Sequence, residues 1–342
     1  VDGTGIVHIA PAFGDEDLDV GREKELSFVQ PVDLQGIITG NYPFAGKFVK
    51  TADKEIMEDL TERGLLFHQD IYRHTYPFCW RCDTPLLYYA KSSWYIRTTA
   101  LKDELVDGND TINWYPDYIK DGRFGEWLRN NVDWAISRER YWGTPIPIWQ
   151  CQDCNHTICV GGVDELRSMA GTNGSLAADG LDLHRPYVDN IVLDCTTEGC
   201  SGEMHRIPEV MDAWFDSGAM PFAQWHVQDS ADVVALRNQG KFPADYICEA
   251  VDQTRGWFYT LHAIATLVMD GVAFRNVVVN GLILDDKGEK MSKSRNNSVD
   301  PFAVVSTHGA DVVRWYMLSN SPPWDSMKFS ERGLTETRGR FF

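Results

Sequence analysis

The chain has 342 residues, which corresponds to two or three domains of roughly 150 residues each. Its hydrophobic fraction of 43% excludes an intrinsically disordered chain, a collagen-like chain and a small disulfide scaffold. The 32 basic and 50 acidic residues leave a net charge of -18, which excludes nucleic-acid binding through a broad basic surface. Any contact with a nucleic acid must therefore be local.

The beginning of the chain combines short β-rich runs with one helix. The β-rich runs cover residues 5–10 and 36–39, and the helix is predicted over 51–63, where Gly64 supplies its end. The chain begins at Val1 inside a polar, glycine-containing phrase without a leader sequence. We therefore expect it to be part of a longer protein.

The middle of the chain changes character twice. Residues 67–149 are rich in Trp, Tyr and Pro, with helical segments predicted at 102–106 and 125–131. Residues 150–205 are polar and rich in glycine, and cysteines lie at both ends of this segment. This arrangement predicts a small insertion that is closed by a metal ion.

An α/β pattern follows the insertion. A short apolar strand at 246–248, a helix over 254–269 and a second apolar strand at 277–279 form a predicted βαβ unit, which implies a right-handed crossover and a parallel sheet. The apolar run in this helix is too short to cross a bilayer. The sequence therefore belongs to the α/β class.

Polar side chains follow the first strand of this unit directly. They are Glu249, Asp252 and Gln253. Because ligands of parallel sheets bind at the carboxyl ends of the strands, these residues are the first candidates for a binding site.

Four of the eight cysteines form two C-x-x-C pairs, Cys79/Cys82 and Cys151/Cys154. This spacing favours metal binding over disulfides, in a reducing compartment. With Cys195 and Cys200, the second pair would supply the four thiolates of a tetrahedral structural zinc site, with free thiols as the alternative. The wider spacing between these last two cysteines leaves other side chains open as substitutes for one ligand, namely Cys159, His156 or His205.

A basic loop follows the α/β unit. Residues 288–297 hold three cations and two hydroxyl groups, with no acid between Lys290 and Asn297. Ammonium groups placed where charge grows on a departing pyrophosphate stabilise that transition state, and a loop flanked by glycine can close over it. On composition alone, an exposed basic turn is the competing interpretation.

The order of residues in this loop is more specific than its composition. Residues 290–294 read Lys-Met-Ser-Lys-Ser, which resembles the signature loop of the class I aminoacyl-tRNA synthetases. The resemblance extends over nearly the whole chain and is closest to the isoleucyl branch, ahead of the valyl and leucyl branches. Besides the loop it rests on segments 3–17, 76–82, 137–145, 212–218 and 252–258.

The resemblance implies a fold and a division into domains. The fold is the second half of a Rossmann-like parallel sheet, with a zinc-ribbon insertion and the C-terminal part of a β-barrel-like editing domain. The implied domains are 1–66 (editing), 67–149 (first catalytic segment), 150–205 (zinc ribbon), 206–310 (catalytic segment with the basic loop) and 311–342 (start of a linker to an anticodon-binding domain).

The resemblance also assigns residues to sites. The adenylate site would contain Glu249, Asp252 and Gln253, with Trp214 and Trp257 beside the apolar amino-acid side chain, although ordinary core packing is an alternative for both indoles. The catalytic and ATP-binding residues of the loop would be Lys290, Ser292, Lys293 and Ser294. The editing site would contain Asp17 and His8, a structural role being the alternative for His8. Cys79 and Cys82 would be half of a second zinc site whose other ligands lie outside this sequence.

The implied activity is ATP-dependent activation of isoleucine and its transfer to tRNA(Ile), with hydrolysis of mischarged Val-tRNA(Ile). The implied cofactors are structural Zn²⁺ and Mg²⁺ with ATP, in a cytoplasmic monomer that contacts tRNA at 290–295 and near Arg138 and Arg140 and does not bind membranes. None of the nine histidines begins the His-x-Gly-His signature of this family, so we expect the chain alone not to activate isoleucine. The alternatives are a valyl enzyme, a trans-acting deacylase and an inert zinc-stabilised tRNA-binding fragment.

Overall fold

The structure is a computed structural model. Its contacts divide the chain into two compact units, one ending at Ser92 and the other beginning at Ser93. The predicted boundary at residue 66 falls inside the first unit, so the five-domain division stays a prediction. The structure describes residues 4–79, 82–170, 181–227, 229–292 and 296–342.

The first unit contains the helices α1 (Asp15–Glu23) and α2 (Val49–Glu62). The helix predicted over 51–63 is α2. It ends at Glu62, two residues before Gly64, whose φ of +68° lies in the left-handed region that glycine adopts at little cost. The predicted helix and its end are therefore confirmed.

The β structure of the first unit is sparser than predicted. The expected run over 5–10 is wrong, because these residues form neither a strand nor a bridge with another segment. The run over 36–39 contributes isolated antiparallel bridges, in which Ile37 pairs with Phe48 and Ile38 pairs with Val32.

The second unit is an α/β arrangement with several small sheets. Its helices are α3 (Lys102–Asp110), α4 (Gly125–Arg129), α5 (Val163–Ala170), α6 (Ala213–Gly218), α7 (Met220–Ala223), α8 (Ser230–Asn238), α9 (Trp257–Met269), α10 (Pro301–His308), α11 (Ala310–Asn320) and α12 (Glu331–Phe341). Its strands are β1 (Tyr95–Ile96), β2 (Asn113–Tyr115), β3 (Trp134–Ala135), β4 (Ser137–Arg138), β5 (Ile148–Cys151), β6 (Thr157–Cys159), β7 (Val192–Asp194), β8 (Glu203–Arg206), β9 (Val210–Met211), β10 (Ile247–Ala250), β11 (Asn276–Asn280), β12 (Ile283–Leu284) and β13 (Met327–Lys328).

The central sheet has the strand order β10-β11-β2, and all its pairs are parallel. The predicted βαβ unit is confirmed, since β10 and β11 pair in parallel with Glu249 opposite Val279. Strand β2 was not predicted as a partner, because its three residues lie far away in the sequence and carry no periodicity. Its Trp114 pairs with Val277 and packs edge-on against Phe258 of α9.

Helix α9 begins later than the predicted residue 254. Residues Val251–Arg255 form a 3₁₀ turn, so the α-helix starts at Trp257. Every residue from Phe258 to Thr266 is buried, which places this helix at the centre of the core. In the ranges that the structure describes, no helix is both long and apolar enough to span a membrane.

The predicted insertion forms a separate four-stranded sheet. Its strands run antiparallel in the order β6-β5-β8-β7. Trp149, Leu193 and Met204 fill a small core of its own. Because this core is small, a further source of stability is expected in this region.

Candidate functional site

The carboxyl edge of the central sheet carries the predicted polar residues. Glu249 lies in β10, and Asp252 and Gln253 lie in the 3₁₀ turn that follows. The side chains of Glu249 and Asp252 are exposed. Asp252 accepts one long hydrogen bond from Nε2 of Gln253, at 3.4 Å. The carboxylates are therefore accessible to a cationic or hydroxyl-bearing ligand.

Gln253 also has a structural role that the sequence did not reveal. Its Oε1 accepts a hydrogen bond of 2.9 Å from the backbone N–H of Trp257. This bond satisfies an N–H of the first turn of α9, which has no partner within the helix. Gln253 therefore anchors the helix that carries Trp257, while its Nε2 faces Asp252.

The two predicted tryptophans lie on neighbouring helices. The indole N–H of Trp257 donates to the backbone oxygen of Ser217 at 3.0 Å, which joins α9 to α6. Trp214 is 44% exposed, and a Cβ added to Gly256 would lie 3.1 Å from its ring and 2.8 Å from Oε1 of Gln253. Trp214 and Gln253 thus meet at Gly256, where only a hydrogen atom fits. The exposed part of Trp214 makes an apolar wall available to a ligand.

Asp212 fixes the position of Trp214 and was not predicted. Its Oδ1 accepts from the backbone N–H of Trp214 at 3.2 Å and so caps α6. Its Oδ2 accepts from Arg138 Nη2 at 2.7 Å and from the indole N–H of Trp134 at 3.3 Å. Asp212 therefore links the wall of the pocket to the segment that contains Arg138.

The basic loop follows the central sheet along the chain. After β11 the chain forms β12, and Lys290 closes a bridge with Leu284 at the end of that strand. The side chain of Lys290 is exposed, and Ser292 is half-buried. The predicted ATP-binding residues Lys293 and Ser294 lie outside the described residues.

Four cysteine thiols converge at one end of the insertion. The Sγ atoms of Cys151, Cys154, Cys195 and Cys200 lie within 4.8 Å of one another. The Cys151–Cys200 and Cys154–Cys195 Sγ distances are 3.7 and 3.6 Å. Zn–S bonds of about 2.3 Å in tetrahedral geometry require Sγ atoms roughly 3.8 Å apart. The four thiols therefore fit a zinc ion.

The electrostatics of this cluster are those of crowded thiols. Hydrogen bonds from the side chain and backbone of Thr197 lower the pKa of Cys195 to about 6. A hydrogen bond from the backbone of Gly202 lowers the pKa of Cys200, but the neighbouring thiols raise it to a net value of about 12. Ionisation of one thiol therefore disfavours ionisation of its neighbours. A cation bound between the thiolates would remove this repulsion.

The alternative ligands from the sequence lie elsewhere. Cys159 pairs with Ile148 at the opposite end of β5 from Cys151, and burial raises the pKa of its thiol. Nε2 of His205 lies 3.5 Å from Glu203. Among the described residues, neither these two side chains nor His156 joins the four thiols. The geometry therefore favours Cys151, Cys154, Cys195 and Cys200 as the four ligands of the predicted zinc ion.

Cys151 and Cys79, the first cysteines of the two C-x-x-C pairs, make equivalent backbone hydrogen bonds. In the first pair, the N–H of Cys151 donates to the oxygen of His156 at 2.8 Å, and the N–H of Asn155 donates to the oxygen of Cys151 at 3.1 Å. Asn155 has a φ of +59°. This hydrogen-bonded turn is called the knuckle below.

In the second pair, the N–H of Cys79 donates to the oxygen of Thr84 at 2.8 Å, and the N–H of Asp83 donates to the oxygen of Cys79 at 2.9 Å. Asp83 has a φ of +55°. The Thr84 hydroxyl lies 3.1 Å from Sγ of Cys82 and lowers the pKa of that thiol. This second knuckle shares the hydrogen bonds of the first, but within the described residues its thiols are not part of a larger group of metal ligands.

The predicted editing residues lie in the first unit. Asp17 is half-buried in the first turn of α1, and its Oδ2 accepts from the backbone N–H of Ala10 at 2.9 Å. The side chain of His8, two residues before Ala10, is exposed. Asp17 therefore holds the segment that contains His8 against the beginning of α1.

An aromatic and basic cluster borders the insertion. Trp142 is 82% exposed and stacks on His184, with ring centroids 6.3 Å apart. Arg185 lies over the ring of Tyr141 at 5.7 Å and donates to the backbone oxygen of Arg140 at 3.0 Å. These side chains line a cleft of about 340 Å³. Exposed rings next to guanidinium groups are suited to stacking on unpaired bases.

Comparisons with known proteins show which proteins this chain is similar to. The isoleucine–tRNA ligase of Dehalococcoides mccartyi is 58% identical over 340 residues, which are 99% of this chain and 33% of that protein. Isoleucine–tRNA ligase 2 of Bacillus cereus is 48% identical over 99% of this chain and 32% of its own length. This chain thus spans about a third of the length of these relatives.

A solved structure shows a weaker likeness. The LeuRS of Agrobacterium radiobacter, in a ternary complex with tRNA and LeuAMS, is 26% identical, with a TM-score of 0.46 over 66% of this chain and 30% of that one. The family model of class I tRNA synthetases (I, L, M and V) matches residues 18–330. The predicted resemblance and α/β fold are confirmed, and the chain belongs to the class I tRNA synthetase family.

Proposed function

We propose that this chain forms part of an isoleucine–tRNA ligase, which activates isoleucine with ATP and transfers it to tRNA(Ile). The observation that carries the proposal is the indole wall of Trp214, which meets Gln253 at Gly256, together with the exposed carboxylates of Glu249 and Asp252 at the carboxyl edge of a parallel sheet. The high sequence identity to isoleucine–tRNA ligases supports isoleucine as the amino-acid substrate.

In the activation step, the carboxylate of isoleucine attacks the α-phosphorus of ATP, and pyrophosphate leaves. Glu249 and Asp252 would hold the α-ammonium group and ribose hydroxyls, which are suitable partners for carboxylates. Gln253 would contribute its Nε2, since its Oε1 is bonded to the backbone of α9. Trp214 and Trp257 would enclose the aliphatic side chain.

The basic loop would act on the leaving group. The ammonium groups of Lys290 and Lys293 would stabilise the charge that develops on pyrophosphate, and Ser292 and Ser294 would donate hydrogen bonds to phosphate oxygens. Mg²⁺ would accompany ATP and neutralise part of its charge. The isoleucyl group then passes to a hydroxyl of the terminal ribose of tRNA, and AMP leaves.

The tRNA would contact a local surface, in keeping with the strong negative charge of the chain. The cluster formed by Tyr141, Trp142, His184 and Arg185 offers stacking surfaces in one cleft, where the guanidinium of Arg185 is paired with Asp189 at 2.9 Å. Through Asp212, the nearby Arg138 is connected to Trp214 of the amino-acid pocket. This connection supports a tRNA contact near the site of acyl transfer.

Hydrolytic editing would correct errors in the choice of amino acid. Isoleucine and valine differ by one methylene, and an apolar pocket discriminates between them by only about 1 to 3 kcal/mol of binding free energy, a value long established for this pair. Asp17 would hold the ammonium group of a wrongly attached valine, with His8 near the ester. Zn²⁺ at the four thiols would tie the hairpins of the insertion together, and the enzyme would work in the reducing cytoplasm.

The test replaces the matching third of the Dehalococcoides mccartyi relative with this chain and measures ATP–pyrophosphate exchange with a panel of amino acids. We expect exchange with isoleucine to exceed exchange with valine. Lys290→Ala should lower kcat about 100-fold with little change in the KM for isoleucine, because the loop acts on the transition state. The matched control is Lys287→Ala, an exposed lysine three residues earlier in the same hairpin.

Two outcomes would contradict the proposal. A chimera that prefers valine would indicate the valyl branch. A chimera that folds, contains zinc and binds tRNA but shows no exchange would indicate an inert tRNA-binding module.

A further inference from the structure

Asp285 lies at the entrance of the basic loop and is buried, although the residues after it are exposed. It directly follows β12, and its Oδ1 accepts from the backbone N–H groups of Lys287 at 3.0 Å and Glu289 at 2.7 Å. Its backbone N–H donates to the oxygen of Glu289 at 2.9 Å. One carboxylate thus organises the turn that leads to Lys290.

Asn297 lies at the exit of the same loop and uses both ends of its amide. Its Nδ2 donates to Oδ2 of Asp285 at 2.9 Å and to the backbone oxygen of Lys290 at 3.3 Å. Its Oδ1 accepts from the backbone N–H of Ser292 at 2.8 Å. The pair of side chains, called the Asp285–Asn297 clasp below, therefore joins the two ends of the loop and also holds residues within it.

The carboxylate of the clasp is ionised at neutral pH. The Asn297 amide, together with backbone N–H groups of the turn, lowers the pKa of Asp285. Hydrogen bonds to an ionised acceptor are roughly twice as strong as those between neutral groups. The clasp is thus stronger than its number of bonds alone suggests.

The base of the loop is also fixed to the rest of the second unit. Strand β12 pairs in parallel with β13, and the N–H of Phe329 donates to the oxygen of Leu284 at 2.8 Å. Gly288 has a φ of +89°, and a Cβ there would lie 2.9 Å from Cε of Lys328. Met291 packs against the buried cluster of α10, α11 and α12. Lys290 is therefore exposed between two anchored neighbours.

We propose that Asp285 and Asn297 are positioning residues, which fix the backbone of Lys290 and Ser292 so that their side chains meet the phosphates of ATP. This inference rests on the proposed function. Neither residue contacts substrate in this scheme. Both act by preparing the geometry of the loop before the reaction, which reduces the entropy that the transition state must lose.

The first experiment uses the chimera described above. Asn297→Asp keeps the shape of the side chain but removes both Nδ2 donors and places a second carboxylate against Asp285. We expect kcat for pyrophosphate exchange to fall about 100-fold, the loss that a displacement of about 1 Å can cause, while the KM for isoleucine stays within about twofold. The matched control is Asn296→Asp, the same change at an exposed neighbour.

A rescue separates the clasp from general damage to the fold. The double variant Asp285→Asn with Asn297→Asp restores one amide–carboxylate pair with the groups exchanged. The new amide oxygen can still accept from Lys287 and Glu289, and the new carboxylate can accept from Ser292. We expect the kcat of the double variant to be at least about tenfold higher than that of Asn297→Asp, because most hydrogen bonds of the network return.

The second experiment needs no activity and uses this chain alone. Trypsin cleavage after Lys290 should be about tenfold faster in Asn297→Asp than in the unsubstituted chain or Asn296→Asp, because the loop opens more often. Equal cleavage rates in all three would overturn the clasp. A fall in kcat that the double variant does not reverse, or an equal rise in the KM for isoleucine, would also overturn it. A folded but inactive unsubstituted chimera would contradict the proposed function instead, and the cleavage rates would still decide whether the clasp holds the loop.

Discussion

The insertion and the central sheet are held together in different ways. The insertion has four short strands, a small core and four thiols whose Sγ atoms lie within 4.8 Å of one another. The sheet β10-β11-β2 has no such cluster among the described residues and depends on a large core around α9. Small cores depend on local cross-links, whereas large cores are stabilised by buried apolar area. The two regions should therefore respond to different perturbations.

Removal of zinc should have the largest effect, and it should be confined to the insertion. Structural zinc contributes an apparent 10 kcal/mol or more in small zinc domains, so Cys200→Ser or a chelator should unfold β5 to β8. Amide hydrogen exchange should become fast in β5 and β8 and remain slow in β11. The zinc content of the chain measures occupancy in the same samples. Loss of protection in β11 to the same extent would show that the two regions form one cooperative unit.

The sequence predicted the local features of both regions and missed the distant ones. The spacing of Cys151 and Cys154 predicted members of the four-thiol cluster, and the periodicity of α9 predicted the helix, because both signals depend on neighbouring residues. Strand β2 could not be predicted, since it pairs with β11 from far away in the chain. The polar residues at the carboxyl end of β10 were predicted only because ligands of parallel sheets bind at that end of the strands.

The supporting residues of the site were also missed. Asp212, Asp285 and Asn297 have no unusual composition or spacing, and their importance comes from the partners that folding brings to them. Gln253 was assigned to the ligand, yet its Oε1 caps α9. A motif can indicate which residues contact a substrate, but the residues that position them can be recognised only in the folded structure.

Acid should lower the stability of the central sheet through His262, and this effect should be smaller than that of zinc removal. This side chain is fully buried in α9, and its Nε2 lies 2.7 Å from the backbone oxygen of Leu105. Burial lowers its pKa from 6.5 to about 4, against a small opposing effect of the Leu105 hydrogen bond. In the unfolded chain His262 is protonated below about pH 6.5, whereas in the folded chain it is protonated only below about pH 4. Stability should fall by roughly 3 kcal/mol as the pH drops through that window.

Urea unfolding of the sheet, followed by hydrogen exchange in β11, measures this effect between pH 4.5 and 7.5. His262→Gln keeps an N–H donor for Leu105 but does not titrate, so its stability should depend less on pH than that of the unsubstituted chain. Any loss of zinc from the insertion at low pH should be the same in both proteins, and their difference therefore isolates His262. Parallel pH profiles would rule out this histidine as the source of acid sensitivity.

The smallest effect is expected at the second knuckle, which separates backbone shape from metal binding. Cys79 makes the same backbone hydrogen bonds as Cys151, but Cys79 and Cys82 supply only two thiols in the described residues. If four thiols are required, this chain should bind one equivalent of zinc, and Cys79→Ser should change neither that value nor the stability of the first unit by more than about 0.5 kcal/mol. Cys151→Ser is the matched variant, and it should abolish tight binding. A second equivalent that disappears in Cys79→Ser would show that the knuckle recruits further ligands, and that the turn, more than the number of thiols, selects the metal.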